Sequence, residues 1–204
     1  MYLETIAEEN ASGRVAEIYA AQKAQLGFVQ ATSRCFTTRP DMLAAYTDFA
    51  DKIRAGFSLG LREWRLITLI AAKHVPSTYC SYVYGKLLAG DLGSKQAVIA
   101  TQQDFRNAGL PPKDVAMLAY AEKIALDASS ITEADIDRLR AAGFNDREIS
   151  DIALCASFRC FVSRYFDAVG AGPEAVFIDE DEAFREALTV GKRYDVAVAA
   201  ASAS

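Results

Sequence analysis

One cysteine of this sequence stands where the start of a helix would make its thiol reactive. In the stretch PSTYCSYVYGK, Pro76 interrupts the preceding segment and Ser77 can cap a new helix, which places Cys80 in the first turn. Unpaired backbone N–H groups and the positive end of the helix dipole favour a thiolate there. Cys80 is therefore a candidate nucleophile. The alternative is that Cys80 is a small apolar residue of the core, because free cysteines are often buried.

Three neighbours complete a candidate site. Ser77, Cys80 and Tyr84 share a helix face through their i, i+3, i+7 spacing, so Tyr84 can donate a hydrogen bond beside the thiol. Arg65, on the preceding helix, would favour the ionised thiol if it faces the same pocket, and it could orient an anionic substrate. We therefore treat Cys80, Tyr84 and Arg65 as catalytic candidates and Arg65, Ser77 and Tyr84 as substrate-binding candidates. A buried Arg65 could equally be paired with a carboxylate.

The remaining residues that could do chemistry are few. His74 is the only histidine and lies nine residues after Arg65, about half a turn out of phase with it, so its role is left open. The four cysteines lack the spacing of a disulfide framework. Cys155 and Cys160 would be separated by about 7.5 Å of helical rise, which favours core positions over a redox pair. We expect neither a metal nor another cofactor.

Composition limits the partners. The 204 residues carry a formal net charge of -5, and the acidic residues are spread along the chain. This distribution argues against a nucleic-acid partner and favours a small molecule or another copy of the same chain. No apolar run reaches the roughly 18 residues of a membrane span, and the first ten residues resemble no leader sequence. We therefore expect a cytoplasmic protein with no membrane partner.

Apolar residues recur at helical spacing along most of the chain, and no stretch alternates convincingly with a period of two. The pattern predicts an all-α fold. The stretch REWRLITLIAAKHV is apolar almost all round between Leu66 and Ala72, which predicts a central helix buried on most sides. Pro40 opens an earlier helix whose apolar residues should form one stripe, namely Met42, Leu43, Tyr46, Phe49 and Ile53.

Capping signals mark several helix ends. Gly27 is placed to end the first helix in the manner of a C′ glycine. Thr132 and Asp135 frame a short helix, and the stretch from Asn145 to Glu148 forms a capping box that opens a long apolar helix.

Consecutive prolines at positions 111 and 112 form the clearest internal boundary. They divide the chain into halves of similar size, 1–110 and 111–195. We expect the halves to share one core within a single domain over residues 1–195, because a chain of this length can bury most of its apolar surface. Residues 196–204 are predicted to form a flexible tail.

Two long stretches, Glu9–Gly90 and Leu110–Glu174, together resemble the carboxymuconolactone decarboxylase and alkylhydroperoxidase-D (AhpD-like) superfamily. The second ends in VGAGPE, a turn typical of the peroxidase-related branch. The resemblance covers most of the chain. It implies an AhpD-like helical bundle of two similar-sized halves around a buried central helix, usually assembled as trimers or hexamers. The apolar central helix also indicates subunit burial, so we expect a homo-oligomer, either a trimer, a hexamer or a dimer.

The resemblance also implies a site, although its motif is degenerate. Active peroxidases of this superfamily carry a Glu, a Cys-x-x-Cys and a His; the second cysteine attacks the hydroperoxide and the first resolves the sulfenic acid. When Cys80 is aligned with the second cysteine, Ser77 stands at the resolving position, Tyr84 at the His and Arg65 at the Glu. Neither the peroxidase activity nor the decarboxylase activity of the superfamily can therefore be carried over residue by residue.

Three functions stay open at this point. The protein could be an alkylhydroperoxidase-like antioxidant oxidoreductase, a one-cysteine thiol peroxidase that reduces hydroperoxides at Cys80 with an external reductant. It could be a cofactor-free, non-redox enzyme of decarboxylase or lyase type that acts on a small carboxylate or lactone through Arg65 and Tyr84. It could also be a catalytically inactive oligomeric binding protein.

Overall fold

A computed structural model describes residues 1–194 of the chain. Within this range it contains ten α-helices and no β-strand, so the all-α prediction is confirmed. The predicted flexible tail lies outside the described residues. In chain order the helices are α1 (Gly13–Leu26), α2 (Ala31–Cys35), α3 (Pro40–Gly56), α4 (Leu61–His74), α5 (Thr78–Asp91), α6 (Lys95–Asp104), α7 (Pro112–Asp127), α8 (Glu133–Ala141), α9 (Asp146–Val169) and α10 (Glu182–Leu188).

Helix α4 is the buried central helix that the sequence predicts. Every residue from Leu66 to Ala72 is completely buried. The helix packs against α5, α7 and α9, which explains why it is apolar almost all round. Because α7 and α9 follow Pro111 and α5 precedes it, the core contains side chains from both sides of that boundary. The division into one domain with two halves stays a prediction.

Capping interactions determine where several helices begin and end. The predicted capping box opens α9: Glu148 N–H donates to Asn145 Oδ1 at 3.0 Å, and Asn145 N–H donates to the Glu148 carboxylate at 2.8 Å. Thr132 and Asp135 form a second capping box at α8. Gly27 ends α1 with a φ of 85°, a left-handed conformation that favours glycine.

The predicted apolar stripe of α3 is only partly buried. Leu43 and Ile53 are buried and Tyr46 is half-buried, but Met42 and Phe49 are 42% and 52% exposed. Met42 and Phe49 are seven residues apart and therefore lie together at one edge of the stripe. Periodicity identifies an apolar face but not how far neighbouring helices cover it.

The first turn of α5 is held from two sides. Ser77 N–H donates to the Ala72 carbonyl at 2.8 Å, which makes the connection from α4 a tight turn. From the other side, Gly191 N–H donates to Thr78 Oγ1 at 2.9 Å. A side chain at Gly191 would clash with the Pro76 carbonyl oxygen, so glycine is required for this close approach. These contacts position the residues at the start of α5.

Helix α4 ends at His74, which joins it to α7. The Nε2 atom of His74 lies 3.0 Å from Glu122 Oε1, and Arg106 contacts the other carboxylate oxygen. Burial lowers the pKa of His74, although the Glu122 carboxylate opposes the shift. The neutral imidazole is therefore the form that the fold favours.

Among residues 1–194 no helix combines the length and apolar character that crossing a lipid bilayer requires.

We expect the free energy of unfolding to decrease as the pH falls below the ordinary histidine pKa of about 6.5. The folded-state pKa of His74 is lowered, so the unfolded chain binds more protons in this range and acid favours unfolding. The stabilising effect is fully present above about pH 6.5 and is lost as the pH falls through the lowered folded-state pKa.

Urea denaturation at a series of pH values from neutral to mildly acidic measures this dependence. The variant His74→Gln keeps an amide donor toward Glu122 but cannot titrate. Its stability should therefore decline less steeply with falling pH than that of the wild type. Equal slopes in the two proteins would show that His74 does not contribute.

Candidate active site

Cys80 is the third residue of α5, as the sequence predicts, because α5 begins at Thr78 and Ser77 is its N-cap. The Ser77 backbone is extended, but its side chain forms no capping hydrogen bond. Cys80 is only 2% exposed, and its side chain faces a cavity. The thiol is thus sheltered from bulk solvent and open to the cavity.

Two side chains of α9 contact the sulfur of Cys80. The Ser163 hydroxyl donates to Sγ at 3.2 Å, and the Arg159 guanidinium donates through Nη2 at 3.5 Å. The two donors are four residues apart and therefore lie on one face of α9. Hydrogen-bond donors and a positive charge both favour an ionised sulfur. Helix α9 therefore supplies the polar surroundings of Cys80.

Arg159 is a buried cation without a carboxylate partner. It is 5% exposed, and no Asp or Glu within residues 1–194 forms an ion pair with it. Its Nε atom has no hydrogen-bond partner in this part of the chain. The ring of Tyr84 lies beside the guanidinium, with 4.6 Å between Cζ and the ring centroid. A buried charge is costly unless something compensates it, and the groups that contact this guanidinium are the Cys80 sulfur and the Tyr84 ring.

The charge states around the thiol differ from one another. Desolvation lowers the pKa of Arg159, but electrostatic interaction with Tyr84 and Cys80 outweighs it and holds the pKa above its ordinary value. Burial raises the pKa of Tyr46 and of Tyr79. The site thus combines a permanent cation with the neutral phenols of Tyr46 and Tyr79.

A cavity of about 80 Å³ adjoins Cys80. Two cationic side chains line it, Arg54 and Arg159, and no carboxylate of the described residues does. Aromatic side chains form much of the remaining wall, namely Tyr46, Tyr79, Tyr84 and Phe166. For comparison, an engineered cavity of about 150 Å³ binds benzene. The cavity by Cys80 is therefore smaller than one that holds a whole aromatic ring.

Arg65 lies away from the thiol. Its Nη1 atom is 2.9 and 2.8 Å from the two carboxylate oxygens of Asp91. Asp91 is the last residue of α5 and lies about 16 Å beyond Cys80 along the helix axis. The guanidinium in contact with Cys80 is that of Arg159, because Asp91 holds Arg65 at the opposite end of α5.

The other predicted site residues separate into two groups. Tyr84 lines the cavity together with Cys80, as the shared helix face predicts. Ser77 is completely buried and is not among the residues that line the cavity. His74 binds Glu122 at the end of α4 and is likewise absent from the cavity wall.

Sequence reasoning missed Arg159 and Ser163 as neighbours of the thiol. A signal for Arg159 was present, because it is the only charged residue in the stretch ALCASFRCFV of the longest apolar helix. A charge in such a stretch must either reach solvent or find a compensating partner. No comparable signal distinguished Ser163.

The other three cysteines have a different environment. Cys35, Cys155 and Cys160 are free and buried, as is Cys80. Burial raises the pKa of Cys35 to about 11 and also raises the pKa values of Cys155 and Cys160. These three thiols are therefore neutral near pH 7. Within residues 1–194 no three His, Cys, Asp or Glu side chains are grouped as metal ligands.

No protein-family model matches the sequence, and no curated protein does either. Solved structures do match it. A peroxidase-related protein from Silicibacter sp. TM1040 is 24% identical with a TM-score of 0.75, over 85% of this chain and 93% of its own. A peroxidase-related protein from Ralstonia eutropha JMP134, with an alkylhydroperoxidase AhpD core, is 22% identical with a TM-score of 0.76, over 94% of this chain and 97% of its own.

The debrominase Bmp8 is also similar. It is 16% identical with a TM-score of 0.73, over 90% of this chain and 96% of its own. A Cys-to-Ala variant of Bmp8 has been solved in complex with 2,3,4-tribromopyrrole. The similarity to these structures extends over nearly their whole length. The chain therefore has the AhpD-like all-α fold that the sequence resemblance implies.

Arg159 should control the reactivity of Cys80. Because the thiolate is the form that reacts, Arg159→Met should slow alkylation of Cys80 by iodoacetamide at pH 7 by about tenfold or more. Arg159→Lys retains the charge and should recover part of the rate. Mass spectrometry of the cysteine-containing peptides measures the labelling at each position.

The matched control is Arg164→Met, a change of the same type at an exposed position of the same helix. It should leave the Cys80 rate unchanged. The role assigned to Arg159 would be contradicted if Arg159→Met reacted as fast as the wild type while circular dichroism showed both proteins folded.

Proposed function

We propose that this protein is a one-cysteine thiol peroxidase that reduces hydroperoxides at Cys80 with electrons from an external thiol. The observation that carries the proposal is the contact between the Cys80 sulfur and Arg159, a buried guanidinium with no carboxylate partner among residues 1–194. A buried cation requires a compensating negative charge. The Cys80 thiolate is in contact with Arg159 and can supply that charge.

Three features support ionisation of Cys80 in this proposal. The residue lies in the first turn of α5, where the backbone N–H groups have no hydrogen-bond acceptor within the helix. Ser163 donates a hydrogen bond to the sulfur, and Arg159 adds a full positive charge. Each feature favours the thiolate, which is the nucleophilic form.

In the first step the Cys80 thiolate attacks the outer oxygen of the hydroperoxide. An S–O bond forms and the O–O bond breaks, so the sulfur loses two electrons and the peroxide gains them. The leaving alkoxide takes up one proton, which balances the proton that the thiol lost when it ionised. The products are an alcohol and a sulfenic acid at Cys80. Arg159 and the Tyr84 hydroxyl can stabilise the negative charge that develops on the leaving oxygen.

In the second step an external thiol restores Cys80. One thiol attacks the sulfenic acid, which releases water and forms a mixed disulfide, and a second thiol then releases the Cys80 thiolate. Ser77 stands where the resolving cysteine stands in the peroxidases that the sequence resembles. The other cysteines, Cys35, Cys155 and Cys160, do not line the cavity beside Cys80. Both observations favour an external reductant over an internal disulfide.

A second candidate is thiol-dependent reductive debromination of an aromatic ring. It is favoured by the fold shared with a debrominase, and because the cavity beside Cys80 is smaller than one that holds benzene, only the bromine-bearing edge of the ring would enter it. In such a reaction two thiols supply two electrons, a proton replaces the bromine and bromide is released. An assay for bromide release from a bromopyrrole distinguishes this activity from peroxide reduction.

The other functions inferred from the sequence gain less support. Arg65 is bound by Asp91 outside the cavity, so a non-redox reaction through Arg65 and Tyr84 stays a prediction. An inactive binding protein would be indicated by the absence of turnover in both assays. A cytoplasmic location also stays a prediction.

We also infer that the protein assembles with copies of itself. Leu154 and Phe161 lie seven residues apart on α9 and are 43% and 53% exposed, and Phe49 on α3 is 52% exposed. The ring of Phe49 packs edge-on against Phe158, one turn from Leu154 on α9. These residues place apolar surface on neighbouring helices, which is the usual composition of an oligomer interface.

Light scattering coupled to gel filtration should therefore give a mass of at least two chains. Phe161→Asp should reduce that mass, whereas Leu126→Asp on α7, a change of the same kind at a residue that is 63% exposed, should leave it unchanged. A monomeric wild type over the micromolar range would contradict self-assembly.

For the peroxidase proposal, wild-type protein should consume tert-butyl hydroperoxide in the presence of dithiothreitol. Cys80→Ser should lower the rate to that of the protein-free mixture because the oxygen nucleophile is not ionised at neutral pH. Dimedone should label Cys80 after peroxide treatment, since it traps sulfenic acids.

Cys35→Ser is the matched control because it also removes a buried thiol, at a position that does not line the cavity. It should retain the wild-type rate. If Cys80→Ser consumes peroxide as fast as the wild type, Cys80 is not the nucleophile and the proposal fails.

A further inference from the structure

The cavity beside Cys80 has more positive charge than its own side chains can balance. Arg54 and Arg159 line it, and no Asp or Glu of the described residues does. In the function proposed above, the Cys80 thiolate compensates one of the two charges. One positive charge is left over, and it lies where a substrate would bind.

Arg54 is the cation that is left over. It lies in the last turn of α3, is exposed, and has its guanidinium 5.8 Å from the centroid of the Trp64 ring. It forms no ion pair with a carboxylate within residues 1–194. By contrast, Arg62 and Arg65 on α4 each contact an aspartate. Arg54 is therefore available to bind an anion at the mouth of the cavity.

Arg159 provides an independent indication that the cavity accepts polar or anionic groups. It is only 5% exposed, and its Nε atom has no hydrogen-bond partner among the described residues. A donor of this kind, buried beside a cavity, is normally satisfied by a ligand or by ordered water.

We propose that the site selects hydroperoxides that carry a carboxylate, with the peroxide group beside Cys80 and Arg159 and the carboxylate on Arg54. The substrate class rests on the peroxidase function proposed above. A single negative charge matches the single uncompensated guanidinium, and a planar carboxylate can accept two hydrogen bonds from it. The aromatic wall, with Tyr46 and Phe166, suits a short hydrocarbon segment between the two polar groups.

The carboxylate site is tested first without turnover, by protection of Cys80 from iodoacetamide. Hexanoate should slow alkylation of Cys80 in a saturable way, and hexanamide, which has the same shape but no charge, should not. Arg54→Gln should weaken the protection by about tenfold or more, because hydrogen bonds between charged groups are stronger than those between neutral groups. Arg14→Gln, at an exposed arginine of α1 outside the cavity wall, should protect like the wild type.

The substrate preference is tested with 5-hydroperoxyhexanoate and its methyl ester. The wild type should show a kcat/KM for the acid about tenfold or more above that for the ester, and Arg54→Gln should reduce the ratio to near one. Arg14→Gln, outside the cavity wall, should keep the wild-type ratio and the wild-type rate on tert-butyl hydroperoxide.

The outcomes separate this inference from the proposed function. Equal protection by hexanoate and hexanamide, or equal kcat/KM for acid and ester with active enzyme, would overturn the carboxylate site and leave the peroxidase intact. Selective protection by hexanoate without consumption of any hydroperoxide would support the anion site and overturn the peroxidase, together with the substrate class inferred from it.

Discussion

The contact between a buried guanidinium and a thiol, where α5 meets α9, constrains the chemistry of this molecule. Arg159 is buried and forms no ion pair with a carboxylate of residues 1–194, so its charge has to be balanced by the Cys80 sulfur, by an aromatic face or by a bound anion. Cys80, Tyr84 and Arg159 all line the same cavity. The cavity, the thiol and the cation therefore form one unit, and changing any one of them alters the charge balance of the others.

A site built on arginine differs in kind from one built on a Glu–His relay. A guanidinium stays protonated at any physiological pH, so Arg159 can stabilise a thiolate or a developing alkoxide but cannot carry a proton between groups. The residues at the relay positions, Arg65 and Tyr84, do not restore that capacity, because Arg65 binds Asp91 and a phenol is chiefly a donor near neutrality. A nucleophile stabilised by charge, with its electrons and protons supplied from outside, is consistent with this set of side chains.

The fold was largely predictable because it follows from local patterns. The periodicity of α4 predicts a helix that is buried all round, and its contacts with α5, α7 and α9 explain that burial. The capping box at Asn145 and the glycine end of α1 depend only on residues close in sequence. The stripe of α3 was less predictable, since the exposure of Met42 and Phe49 depends on how much of that helix its neighbours cover.

The sequence by itself determined the all-helical architecture and the position of Cys80 in the first turn of α5, because both depend on spacing within one segment. Only the tertiary structure decided which arginine reaches the thiol. Arg65 is the nearer of the two in sequence but is bound by Asp91, whereas Arg159 is 79 positions from Cys80 and lies against it. Helical periodicity specifies the face on which a side chain lies. It does not specify which faces of two distant helices pack together. That choice depends on how the apolar surface of all the helices is buried in one core.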